Sequence, residues 1–148
     1  MPALRQSRGR TALVCLFCRH LEEERLSATI GGAYALHKFS FGALRIDGST
    51  YEQDVVIDCG EIRKRKKAPS RRFREEFGHT PLSIGEKIPW KCDRLVIGTG
   101  AYGRLPVMKE VKVEAKRREV ELVIVPTSEA IRLIEKESAA NAILHVTC

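Results

Sequence analysis

The sequence predicts an α/β fold: a three-layer single domain in which an N-terminal β-hairpin is followed by β-α-β-α-β around a mixed sheet. Three observations carry this expectation. Strand-like runs at residues 39–46 and 51–57 flank Asp47-Gly48-Ser49-Thr50, a hairpin signal. From Arg94 onward short apolar runs alternate with helical patterns, the signature of helices crossing over a sheet. The chain has 148 residues, a length at which one domain buries about 70% of the surface its unfolded form exposes.

Residues 1–37 differ from the rest. Leu13, Leu16, Phe17, Leu21 and Leu26 could form one helical stripe, but no cap supports it, so this stretch reads as a weakly structured extension to a domain spanning 38–148. After the hairpin comes a basic window, then Ser70 as the cap of a short helix that ends before Gly78, with Phe73 and Phe77 on its buried side. Ser83-Ile84-Gly85-Glu86 has capping-box spacing and predicts another short helix, stopped by Pro89. Residues 94–97 read as a strand running into Gly98. Pro106 is placed at the first position of a helix whose inner face carries Val107, Val111 and Ala115, with Glu114 and Arg118 paired outside. Residues 120–125 form a continuous apolar strand, expected to be buried on both faces. Thr127 is expected to cap the next helix, with Ala130, Leu133 and Ile134 inside, and residues 141–146 form the last strand.

Charge narrows the classes of function. There are 26 Lys and Arg against 19 Asp and Glu, a formal charge of +7. Eight of the basic residues, Arg63, Lys64, Arg65, Lys66, Lys67, Arg71, Arg72 and Arg74, fall within twelve positions; without them 18 basic face 19 acidic residues. The molecule is thus a near-neutral domain with one cationic segment. Its longest uncharged stretch, residues 26–37, has twelve positions, whereas a membrane-spanning helix needs about 20. The apolar run after Arg5, Arg8 and Arg10 is too short for a secretory signal. Five cysteines, an odd number, in a chain with core enough to fold favour reduced thiols and a cytoplasmic setting. High charge with three amide side chains suggests a heat-adapted source.

Gly98-Thr99-Gly100-Ala101-Tyr102-Gly103 spells G-x-G-x-x-G after a strand, yet Pro106 prevents a helix from opening inside the motif, and no acidic residue follows the next strand to hold a ribose. The motif reads as a turn; Gly98, Thr99, Gly100 and Gly103, together with His79, remain candidates for a small anionic ligand or an enzyme site. No resident cofactor is expected. Cys15 and Cys18 have the spacing of a redox pair or of a zinc half-site, but no second such pair exists. His20 and His37 could contribute, yet two apolar cysteines are the commoner explanation and no metal is expected. His145 and Cys148 lie three apart, on opposite faces of a strand that runs to the end, and should not meet. His79 has no visible partner. In the predicted helix from Ser70, Arg71 and Arg72 stand at the N-terminus and Glu75 and Glu76 at the C-terminus, against the helix dipole, so the basic window's charges look meant for an acidic partner. An acidic protein surface leads. Nucleic acid is the alternative, weakened by the scarcity of free aromatic side chains.

From Phe39 the chain resembles a family of small α/β domains that includes the mitochondrial NADH:ubiquinone oxidoreductase (complex I) assembly factor 3 and the adipogenesis-associated domain protein. The likeness rests on Phe41-Gly42 with Ile46, on Leu95-Val96-Ile97-Gly98-Thr99-Gly100, on Pro126-Thr127-Ser128-Glu129-Ala130 and on the ending Asn141-Ala142-Ile143-Leu144-His145-Val146-Thr147-Cys148. Gly78-His79-Thr80-Pro81-Leu82-Ser83 looks like the prokaryotic branch. The match covers about 110 of the 148 residues, the extent of one domain. The resemblance implies a three-layer domain with a mixed sheet and no obligatory cofactor, and it supplies no catalytic residues to carry over. Residues 1–37 have no counterpart in it, so a start assigned too far upstream is one expectation. Together these readings point to a non-enzymatic interaction or assembly module.

Overall fold

The computed structural model describes residues 38–137 and 139–148; the stripe from Leu13 to Leu26 and the Cys15/Cys18 pair lie outside the described residues. The predicted hairpin is two devices. The run 39–46 breaks at Phe41-Gly42 into β1 (Lys38–Ser40) and β2 (Ala43–Ile46). The turn at Asp47 (φ +48°) and Gly48 (φ +83°) then leads into β3 (Ser49–Tyr51), closing an antiparallel meander in the order β1-β2-β3. Two successive positive φ angles are what a tight two-residue hairpin turn requires, and Asp-Gly supplies them at low strain. The chain then changes sheet. β4 (Val55–Asp58) pairs with β5 (Glu61–Lys64), a strand running into the basic window that the sequence reading missed.

The remaining elements are α1 (Arg74–Phe77), β6 (Arg94–Gly98), α2 (Lys109–Arg117), β7 (Glu121–Val125), α3 (Thr127–Lys136) and β8 (Asn141–Leu144). The second sheet has the order β5-β4-β8-β6-β7. β8 lies at its centre, antiparallel to β4 and parallel to β6, and β6 is parallel to β7. The predicted class therefore holds, with a mixed sheet between two layers. Because side chains alternate along a strand, Val55, Ile57, Val96, Ala142 and Leu144 face the meander and α3, where Leu44, Ile46, Ala130, Ile131 and Ile134 complete one core. Val56, Leu95, Ile97 and Ile143 face the other way, against Val111 of α2 and Leu82, Ile88 and Leu105 from the loops.

Several local expectations give way to this frame. No helix opens at Ser83; residues 84–86 make a turn, and Glu86 points inward. The helix expected from Pro106 begins at Lys109, because residues 106–108 run extended and Val107 bridges Leu82. β7 is an edge strand, and its Ile124 is 38% exposed instead of buried. Thr127 is the first residue of α3, Pro126 holds the cap position, and the threonine's hydroxyl points elsewhere. The Ser70 helix is a 3-10 turn over Ala68–Phe73 followed by α1, which ends at Gly78 as expected. Arg71 and Arg72 thus fall in the last turn of the first piece, and Glu75 and Glu76 in the first turn of the second. Those positions suit the local dipoles, which removes the argument from misplaced charge.

Candidate functional site

At the carboxyl ends of the parallel strands β6 and β8, where open α/β sheets usually place their sites, lie the glycine turn and the segment 145–148. Beneath them is a buried ionic network. Arg65 continues the β4–β5 ladder, its amide donating to the Asp54 carbonyl at 2.8 Å, so its side chain turns into the protein and is 1% exposed. Its guanidinium grips Glu86 with two parallel bonds of 2.7 Å and also donates to Asp54 (3.1 Å) and to the Pro81 carbonyl (2.9 Å). Ser70 gives its hydroxyl proton to Glu86, which leaves Ser83 as the donor in the 2.7 Å Ser70–Ser83 contact. No buried side-chain nitrogen or oxygen among the described residues lacks a hydrogen-bond partner, the condition under which a buried ion network is tolerated.

Asp54 is the hub. One carboxylate oxygen accepts from Arg65, from Lys67 Nζ (2.8 Å) and from His145 Nδ1 (2.7 Å), and the other accepts from the Val146 amide (3.1 Å). Burial pushes the Asp54 carboxyl up, but the hydrogen bonds and charges of His145 and Lys67 outweigh it and hold the group far below the usual carboxylate range. A carboxylate has only acceptors, so His145 Nδ1 carries a proton. Nε2 of the same ring faces Thr147 Oγ1 at 3.2 Å, and that hydroxyl lies 3.8 Å from Cys148 Sγ. On its far side the sulfur is 3.6 Å from His79 Nδ1.

The strand period correctly puts His145 and Thr147 on one side. His145 and Cys148 do not touch, as expected; β8 ends at Leu144, Cys148 turns away with φ +50°, and Thr147 Oγ1 lies within reach of both side chains.

The glycine turn encloses this segment. The Ala101 amide donates to the Thr147 carbonyl (3.2 Å), and those of Tyr102 and Arg104 donate to Cys148 O (2.9 and 3.4 Å). Gly100 has φ +99°, and a Cβ there would stand 2.0 Å from the Thr147 carbonyl oxygen; one on Gly98 would meet Thr127 Oγ1 at 2.8 Å. These glycines let backbone approach backbone. Thr127 Oγ1 completes the join, accepting from the Gly100 amide (2.8 Å) and donating to the His145 carbonyl (2.6 Å). Thr99 is buried and bonds Val125 through both its amide and its hydroxyl, while Gly103 stays at the surface.

The predicted residues thus separate into two groups. The turn 98–103 and His79 both lie beside Cys148. In the basic window Arg65 is locked inside and Lys67 half so, and Arg63 binds the Lys87 carbonyl at 2.7 Å; Lys64, Lys66, Arg71, Arg72 and Arg74 are exposed. Arg72 also stacks on Phe73, 4.6 Å from its ring centre. Sequence reasoning missed Asp54, Glu86 and His145 as a unit. The available signal was an acid next to the apolar run Val55-Val56-Ile57, a place where a charge needs a buried partner. Cys92 and Cys148 are free thiols, and burial pushes the Cys92 thiol up to about 11. No three metal-ligating side chains gather among the described residues, and no helix among them is long and apolar enough to cross a membrane.

Solved structures share this architecture. A conserved hypothetical protein of Pyrococcus horikoshii OT3, PH1505, is 31% identical, with 76% of this chain aligned to 98% of that one at a TM-score of 0.62. The protein MT938 is 25% identical, covering 78% of this chain and all of its own at 0.61. A Bordetella pertussis protein described as a Mth938-like domain shares the fold at 12% identity and a TM-score of 0.52, over 80% of this chain and 89% of its own. No protein-family model matches the sequence, and no curated protein matches it. Fold and strand order define the class, an α/β domain with a mixed sheet, and the Bordetella domain shares that fold. Within that class the chain belongs to the family of the Pyrococcus protein PH1505.

Proposed function

We propose that this domain is a non-enzymatic protein-interaction or assembly module that presents its exposed basic corner to an acidic protein surface in the cytoplasm. One observation carries the reading. Arg65 is fixed inward by Asp54 and Glu86, which ties down the backbone between β5 and the 3-10 turn, while no ion pair among the described residues neutralises Lys64, Lys66, Arg71, Arg72 or Arg74 around it. A rigid frame under displayed cations lowers the ordering cost of binding. The resemblance to a respiratory-complex assembly factor agrees with such a role. The basic strand also shields a sheet edge, a use of Lys and Arg that needs no partner, so the test must detect binding itself.

That test is affinity capture from the native organism, comparing the intact chain with a variant carrying Lys66→Glu, Arg71→Glu, Arg72→Glu and Arg74→Glu. The reading requires one acidic protein to be retained by the intact chain and lost by the variant. Binding of an oligonucleotide that weakens steeply with salt, with no protein retained, would replace it by the nucleic-acid reading. A melting midpoint well above that of ordinary mesophilic domains is expected from the heat-adapted composition.

A further inference from the structure

Cys148 is placed as no packing residue needs to be. The residue is half-buried, and its sulfur meets two polar groups, Thr147 Oγ1 at 3.8 Å and His79 Nδ1 at 3.6 Å, with His79 itself at the surface. The residue's backbone is held through its main-chain oxygen, which accepts from the amides of Tyr102 and Arg104. Behind it, His145 and Thr147 hold their mutual geometry through Asp54.

Two chemistries fit this arrangement poorly. Cys148 and His79 are two ligands, where a structural zinc needs four and a catalytic one three. Acyl transfer needs amide donors free to face an oxyanion, but the amides of the turn already donate to the Thr147 and Cys148 carbonyls. Thiol–disulfide exchange makes no oxyanion; it needs access, a thiolate and a group to accept the proton.

We infer that Cys148 is a reactive thiol that forms mixed disulfides with low-molecular-weight disulfides, with His79 as its proton acceptor. The Cys148 proton passes to His79 Nδ1. The thiolate then attacks one sulfur of R–S–S–R, the new Sγ–S bond forms as the old S–S bond breaks, and the departing thiolate takes the proton from His79 and leaves as RSH. The small disulfide is the oxidant: one of its halves is reduced to thiol, while Cys148 is oxidised to the disulfide. His79 is the catalytic residue, and Thr147 and His145 are positioning residues.

The test uses the full chain and two probes, the chromogenic disulfide 5,5′-dithiobis(2-nitrobenzoate) for rates and oxidised glutathione for the adduct. Among the described thiols, Cys148 is expected to react fast at neutral pH, in a phase lost in Cys148→Ser, and Cys92 slowly. His79→Ala should slow that phase about tenfold or more at pH 7, and the gap should close above about pH 9, where an unassisted thiol ionises by itself. Thr147→Val should slow it less. Peptide mass analysis should find the glutathione adduct on Cys148, removed by a reducing agent. Melting midpoints of His79→Ala and His79→Gln identify folded variants for the comparison. If Cys148 reacts no faster than Cys92, or if both folded His79 variants keep the parent rate and pH profile, the inference is overturned.

Discussion

Two ion clusters in this domain use the same chemistry and differ in where they stand. On α2, a half-buried Glu114 accepts from the exposed Arg117 at 2.8 Å and Arg118 at 2.6 Å. Beneath the β4–β5 hairpin, Arg65 joins Glu86 and Asp54 with side chains 1–3% exposed. The outer cluster follows from one helical turn and ties together residues that the helix has already aligned. The inner one joins residues up to 92 positions apart, from Asp54 to Val146, and thereby fixes how a hairpin, a loop and the end of the central strand sit together. The lesson is that the number of ion pairs says little; what matters is whether water could have taken the place of either partner.

The largest expected effect is at Arg65. Arg65→Ala leaves two buried carboxylates without their shared cation and should lower unfolding stability by about 3–5 kcal/mol in urea titration. The double variant Arg65→Met with Glu86→Leu removes the charges together and should recover a substantial part of that loss; a double variant as unstable as Arg65→Ala would mean that packing, not charge, sets the cost. Acid comes next. Asp54 has a folded pKa depressed below the unfolded value of about 3.9. Its stabilising contribution is therefore complete above that value and is lost as pH falls toward the folded one. Stability measured from pH 5 down to 2 should fall steadily, and Asp54→Asn should flatten the fall. The smallest effect is at Glu114, whose carboxyl the bonds from Arg117 and Arg118 draw down to about 2. Glu114→Gln should leave the denaturation midpoint within experimental scatter. Added salt should raise the Glu114 titration midpoint, followed by NMR, and leave that of Asp54 in place.

The same contrast explains how much could be read from the sequence. The β-α-β-α-β half was legible because its elements have long apolar periods, and the surface pair Glu114–Arg118 because it lies within one helix. The turn at Asp47-Gly48 was legible from its residue types. Strand β5 was hidden, because Arg63 and Arg65 read as solvated charges until their partners, Lys87 and Glu86, are brought alongside from a distant loop. Glu86 was assigned to a local cap because capping-box spacing is a short-range signal, and a guanidinium 21 positions away competes for the same carboxylate. Both candidate segments stand out in the sequence by their composition. Which of their side chains face inward depends on contacts no local pattern records.

The position of β8 has a consequence for how the molecule forms. Pairs β4–β5 and β6–β7 bring together neighbours in sequence, yet each keeps a bare inner edge until Asn141–Leu144 slides between them. That insertion joins residues such as Val56 and Ile143, far apart along the chain, and non-local pairing of this kind slows folding. During the delay both edges are templates for strand addition by another copy. Refolding yield should therefore fall as protein concentration rises, and a short peptide spanning 141–148 should suppress that loss by occupying the gap.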